Sequence, residues 1–255
     1  MQNNFAGRLL GFDRLLLIKM YYIILMVITM NIELNFVKKG SGYPLILLHG
    51  NGEDYHYFDR QIDEFATHYT VYAVETRGHG KSPRGSKPFT ISQFSDDLRD
   101  FMDRQQIERA NILGFSDGGN IAMVFAIRYP ERVNKLVLNG ANATTNGLKA
   151  YFQIPTEIRY RLTLCLEPFS KKAKKEREML ELMVKNPVDS LDELANITAP
   201  TLVVAGTRDL IKSSHSRKIA ESIPDSKLVF INGNHAVARL NPTVYNKTVL
   251  EFLED

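Results

Sequence analysis

The sequence predicts an α/β architecture: a mostly parallel central sheet with helices on both faces and a short helical lid. Three observations predict it. Short apolar runs recur at Pro44 to Leu48, Val71 to Val74, Asn111 to Leu113, Lys135 to Leu138, Thr201 to Ala205 and Lys227 to Ile231. Amphipathic stretches of helical length lie between them. Several runs lead straight into glycine-rich segments. A continuous apolar run is the mark of a strand buried on both faces, and strands that alternate with helices pair in parallel. Functional residues in such sheets gather beyond the C-terminal ends of the strands.

Taken in order, the elements begin with an anomaly. Leu15 to Met30 is apolar except for Lys19 and Thr29, with Arg8 and Arg14 upstream. At 16 residues the run is shorter than the ~20 that span a bilayer, and no small-x-small cleavage site follows it. Three readings stand for residues 1–30: an over-extended reading frame with Met30 as the start, a membrane anchor or signal, or an N-terminal helix. A single domain is expected over 31–255. There Ile32, Leu34 and Phe36 alternate with polar residues as a half-buried antiparallel strand, and Lys38 to Gly42 supplies a turn. Phe94, Leu98, Phe101 and Met102 share one helical face, as do Ile121, Val124 and Phe125. Asn241-Pro242 opens a last helix that carries Tyr245, Val249, Phe252 and Leu253 inward.

The alternation breaks between about 144 and 192, where helical material is punctuated by Pro155, Pro168 and Pro187. An insertion there would sit over the strand ends as a lid. Its apolar residues Tyr151, Phe152, Ile154, Leu162, Leu164 and Phe169 are expected to pack the lid on the body, or to line an apolar entrance.

Composition narrows the function. The net charge is +3 with 24% charged residues, which suggests neither a nucleic-acid groove nor a polybasic membrane surface. Lys171, Lys172, Lys174, Lys175 and Arg177, interleaved with Glu176 and Glu178, read as a solvated helix face. The single cysteine, Cys165, permits no intramolecular disulfide and reads as a small buried hydrophobe. The six histidines are scattered, no metal-ligand spacing or phosphate-binding glycine loop appears, and no cofactor is expected.

The chemistry centres on Gly114-Phe115-Ser116-Asp117-Gly118-Gly119, directly after the run Asn111 to Leu113 and opening a helix rich in small residues. This fits a G-x-S-x-G nucleophile elbow in its strand–turn–helix setting. The tight turn excludes side chains two before and two after Ser116, and lifts its hydroxyl beside a helix N-terminus. A second motif, His49-Gly50-Asn51-Gly52, ends the Pro44 to Leu48 strand. With these two motifs, the chain from Asn31 to Asp255 resembles the α/β-hydrolase family.

The resemblance implies an oxyanion hole made by the backbone N–H groups of Asn51 and Asp117. It also implies the order serine, acid, histidine. Asp209 follows Thr201 to Ala205, and His235 follows Lys227 to Ile231, so these are the expected acid and base for Ser116. Glu75-Thr76-Arg77-Gly78-His79-Gly80-Lys81-Ser82 is similar to a family loop that usually begins with Asp, and His79 reads as loop architecture. His215, beside Ser213 and Ser214, reads as a surface residue. The Asp117 carboxylate suits a helix N-terminus, with a substrate cation as its alternative use. Glu53, Asp54 and His56 follow the second motif and receive no role.

The expected function is hydrolysis of a carboxylic ester or lactone through an acyl-enzyme. One alternative is a C–C bond hydrolase, with Arg159 and Arg161 as candidates for a substrate carboxylate. Another is a non-catalytic ligand-binding member. The expected partner is a small ester-like molecule and not a nucleic acid, with membrane contact only through residues 15–30. A cytoplasmic location is expected, or an anchored or exported one if residues 1–30 are genuine.

Overall fold

The apolar runs fold as strands because their alternate residues serve two cores at once. In the computed structural model, which describes residues 32–255, Leu45 and Leu47 of β2 (Pro44–Leu48) enter one core while Ile46 and Leu48 enter the other. The remaining strands are β1 (Phe36–Lys39), β3 (Thr70–Val74), β4 (Ala110–Phe115), β5 (Val133–Asn139), β6 (Thr201–Gly206) and β7 (Ser226–Ile231). They form one sheet in the order β1-β3-β2-β4-β5-β6-β7. Every pairing is parallel except that of β1 with β3. The predicted first strand starts late: Leu34 is buried, but pairing begins at Phe36 opposite Val74.

The α-helices among the described residues are α1 (Ile62–Phe65), α2 (Ile91–Arg104), α3 (Asp117–Arg128), α4 (Ala150–Leu166), α5 (Lys171–Val184), α6 (Ser213–Ser222), α7 (Val237–Leu240) and α8 (Pro242–Glu254). One core receives Phe94 and Leu98 of α2, Ile121 and Val124 of α3, and Ile219 of α6. The opposite core receives Phe65 of α1 and Tyr245, Val249 and Phe252 of α8. Helix starts follow local chemistry. Thr90 caps α2 by accepting the Gln93 N–H, and Ser170 caps α5 by accepting that of Ala173. The loop after β3 is pinned by a buried two-pronged ion pair, with Arg77 Nε and Nη2 2.7 and 2.6 Å from the Asp97 carboxylate.

Helices α4 and α5 stand between β5 and β6, inside the interval where the strand pattern lapses. Leu182 and Met179 of α5 pack this insertion on the core, and polar contacts add to the hold. Arg84 grips Glu178 of α5 with two hydrogen bonds of 2.9 and 2.7 Å, and the Asn51 amide donates to the Met179 carbonyl at 2.8 Å. Two expectations fail here. Cys165 is exposed, not buried. Ile154, Leu162, Leu164 and Phe169 neither pack on the body nor line an entrance but point into solvent. The reason is that α4 is apolar on more than its inner side. The side carrying Phe152 and the buried Thr163 faces the body, and the rest of the apolar surface is left outside. Among the described residues, no helix is long and apolar enough to cross a membrane. The readings for residues 1–30 lie outside the described residues.

Candidate active site

Ser116 occupies the turn between β4 and α3 with φ 54° and ψ −120°, a left-handed conformation that costs a non-glycine residue about 1–3 kcal/mol. The flanking glycines make the turn possible for reasons of space. A Cβ on Gly114 would stand 2.2 Å from the Gly118 carbonyl oxygen, and one on Gly118 would stand 2.1 Å from that of Leu48. The second collision is with the end of β2, so the elbow is wedged against the neighbouring strand as well as folded on itself. The Ser116 N–H donates to the Asn139 carbonyl at 2.8 Å, which ties the elbow to β5.

The loops after β6 and β7 bring Asp209 and His235 to the serine. His235 Nε2 lies 3.0 Å from Ser116 Oγ, and His235 Nδ1 lies 2.6 Å from Asp209 Oδ1. The carboxylate can only accept, so Nδ1 carries the proton and donates it. That leaves Nε2 as an acceptor for the serine hydroxyl. Asp209 also accepts from the backbone N–H of Ile211 at 3.0 Å and of Gly206 at 3.1 Å. Burial alone would raise its pKa. The hydrogen bond and charge of His235, with the two N–H donors, outweigh burial and hold the carboxyl below its usual range.

Residues outside the predicted set complete the arrangement. Gly140, at the end of β5 with φ 61°, lies under the imidazole, where a Cβ would approach His235 Cε1 to 2.8 Å. Phe115 stacks flat on Tyr57 with centroids 4.0 Å apart, and its ring centroid is 4.9 Å from that of His235. A glycine directly after an apolar strand was the available signal for Gly140. No pattern announced Phe115.

The serine and histidine open into a cavity of about 460 Å³. Apolar lining comes from Phe115, Leu148, Phe152, Met183, Leu210 and Ile211, and polar lining from Asn51, Glu53, Asp117, Asn142 and Arg208. As the first residue of α3, Asp117 has a backbone N–H among those a helix leaves without an internal partner. Its side chain is buried, and burial raises its pKa to about 6. The Asn120 amide donates to Oδ1 at 3.2 Å, while Oδ2 has no hydrogen-bond partner among the described residues. Glu53 accepts the Gly50 N–H at 3.2 Å and is raised by burial.

The other histidines stand apart from this relay. His79 is buried in the loop after β3, with Nδ1 3.0 Å from both Thr76 Oγ1 and the Arg77 carbonyl oxygen. His215 corrects the surface reading. It is buried, Nε2 accepts the Ala143 N–H at 3.2 Å, and its ring fills the space a Cβ on Gly147 would need. Burial, then Lys218 and Lys212, lowers its pKa to about 4. Arg159 and Arg161 do not line the cavity: both are exposed, and Arg159 pairs with Glu176.

Comparison with known proteins bears on the fold and the family. A family model described as the alpha/beta hydrolase fold matches residues 43–157. A 2-hydroxy-6-oxononadienedioate/2-hydroxy-6-oxononatrienedioate hydrolase of Cupriavidus pinatubonensis is 30% identical over 250 residues, covering 82% of this chain and 86% of its own. A protein of Azorhizobium caulinodans that carries the provisional name carbamate hydrolase is 28% identical over 254 residues, covering 86% and 94%. The crystal structure of an enol-lactonase from Burkholderia xenovorans superposes with a TM-score of 0.71 at 23% identity, covering 88% of this chain and 97% of that one. From strand order, elbow and relatives together, the chain belongs to the α/β hydrolase fold family and is a hydrolase.

Proposed function

We propose that the protein is a serine hydrolase that cleaves a carboxylic ester or lactone through an acyl-enzyme, with Ser116 as nucleophile, His235 as base and Asp209 as its orienting acid. One observation carries the reading: the continuous relay from Ser116 Oγ through His235 to Asp209 at the wall of the cavity. As Ser116 Oγ attacks the substrate carbonyl, its proton passes to His235 Nε2. Asp209 steadies the imidazolium. The tetrahedral oxyanion is received by the backbone N–H groups of Asn51 and Asp117, where removing one such donor elsewhere costs ~100-fold or more. His235 then returns the proton to the departing alkoxide oxygen. Water, activated by the same imidazole, releases the acid and restores the serine. The insertion α4–α5 serves as the lid, and Tyr151 and Phe152 of α4 with Met183 of α5 form its contribution to the cavity wall. Asp117 Oδ2 is buried beside the Asn51 side chain and lacks a well-formed hydrogen bond among the described residues, which supports a substrate that offers an N–H or O–H beside its acyl carbon.

The expected result with p-nitrophenyl acetate or butyrate is a burst of nitrophenolate stoichiometric with protein, absent in Ser116→Ala. A well-folded protein with no burst on either ester refutes the proposal. A C–C bond hydrolase is the second reading. It is favoured by Arg208, which lines the cavity and could take a substrate carboxylate, and by the name of the Cupriavidus relative. Turnover of a dienoate substrate with poor ester turnover would select it.

A further inference from the structure

Helix α4 presents two apolar sides. Its inner side meets the body, but Tyr151, Ile154, Ile158, Leu162 and Leu166 recur at three- and four-residue intervals on the opposite side, and each is exposed. Phe169, just beyond the helix end, is 89% exposed. Ordinary surface helices turn charge outward, so a continuous outward apolar stripe of this length needs a covering. Arg161 and Arg159 flank the stripe, one on either edge by helical position.

The charges around the stripe identify the cover. Directly after Phe169, α5 opens with Lys171, Lys172, Lys174 and Lys175, all exposed. Of the acids nearby, Glu157 beside Arg161 accepts only from the Gln153 amide, and the others are committed to cations. Glu176 pairs with Arg159, Glu178 with Arg84, and Glu167 and Glu181 with Arg177. The patch is therefore apolar at its centre and positive at its rim. Aromatic and aliphatic side chains beside a lysine cluster suit an anionic lipid surface, which solvates the first group in its acyl boundary and attracts the second. A second copy of this chain would instead bring lysines against lysines.

The course of the chain agrees. Phe36 opens β1 opposite Val74, at the C-terminal end of β3, and the Asn35 N–H donates to Ser82 Oγ at 2.8 Å. That loop also carries Arg84, which grips α5. The described chain thus begins at the end of the sheet that bears the insertion.

We propose that the outer face of the helical insertion docks on an anionic membrane surface, with Ile154, Ile158, Leu162, Leu166 and Phe169 entering the acyl boundary and Lys171, Lys172, Lys174 and Lys175 holding the headgroups. Tyr151 belongs to both the stripe and the cavity wall, so docking turns the cavity mouth toward the lipid. This contact is separate from any made by residues 15–30, and it does not rest on the ester-hydrolase reading.

The test is cosedimentation of the full chain with vesicles of phosphatidylcholine alone or with 30% phosphatidylglycerol, in about 0.1 M salt. The full chain is expected to bind the anionic vesicles at least tenfold more tightly than the neutral ones. The double variant Leu162→Asp/Phe169→Asp should weaken binding at least tenfold. Replacing the four lysines by Gln should remove the preference for anionic lipid. All these side chains are exposed, so melting curves should match wild type and separate lost docking from lost folding. Wild-type affinity in both variants would overturn the proposal, because residues 15–30 would then account for all binding. No binding by the full chain would overturn it too, as would a solution dimer that Leu162→Asp dissociates.

Discussion

The strand tips and the helical insertion are both built from helices, turns and apolar side chains, yet they are held by different physics. At the tips, the backbone has no room. Gly114, Gly118 and Gly140 each sit where a Cβ would come within 3 Å of another group, and Ser116 holds a left-handed φ. In the insertion, α5 sets Leu182 into the core and packs Met179 against it, but the other ties are ion pairs and amide contacts near the surface, and much of the apolar area of α4 looks outward. Geometry that must hold a proton path to a few tenths of an ångström rests on packing, where collisions leave one solution. A cover over a cavity needs only to stay near it. The contrast predicts that substitutions at the tips are costly and those on the outer insertion are cheap.

The largest expected effect separates chemistry from folding at the tips. Asp209→Asn keeps the shape but presents an amide where His235 needs an acceptor, so ester turnover should fall about 10⁴-fold with little change in melting temperature. A loss under tenfold would deny Asp209 its orienting role. Next comes the packing claim. Gly118→Ala drives a methyl into the Leu48 carbonyl and should destabilise by about 3 kcal/mol or more by denaturant titration. An elbow that accepts alanine at wild-type stability would erase the contrast.

A third prediction concerns the charge buried beside the serine. Because burial raises the Asp117 carboxyl to about 6, the folded chain holds a proton there that the unfolded chain releases near the ordinary 3.8. Between those values the folded state binds more protons, so this group's contribution to stability falls as pH rises through the window and the penalty is complete above about 6. Asp117→Asn removes the charge. At pH 8 it should gain about 2–3 kcal/mol in urea titration, with the gain shrinking toward pH 4. A gain independent of pH would assign the effect to something other than ionisation. The smallest effect belongs to the insertion: Leu162→Ala, on an exposed side chain, should stay within about 0.5 kcal/mol of wild type. A cost of 2 kcal/mol would show that the outer face is packed after all.

The same contrast explains how much could be read in advance. Ser116, Asp209 and His235 were legible because each follows an apolar run that can only be an inner strand, and strand order then delivers them to one edge. Gly140 was not, since its need for hydrogen in place of a side chain arises from an imidazole 95 positions later in the chain. His215 was misread because Ser213 and Ser214 suggest an open helix face, whereas its burial is imposed by Gly147 from the insertion. In α4 the periodicity is visible but carries no direction. A helix apolar on two sides does not say which side meets the body, and Cys165 and Leu162 were assigned inward on that account.

The central claim is that Ser116 is a nucleophile activated through His235 and Asp209. Treating the full chain with a fluorophosphonate and locating the adduct by peptide mass spectrometry tests it most directly. The account predicts a single adduct on Ser116, absent in Ser116→Ala and formed at least 100-fold more slowly in His235→Ala. An adduct on any other residue, or none on a protein that melts cooperatively, would contradict it.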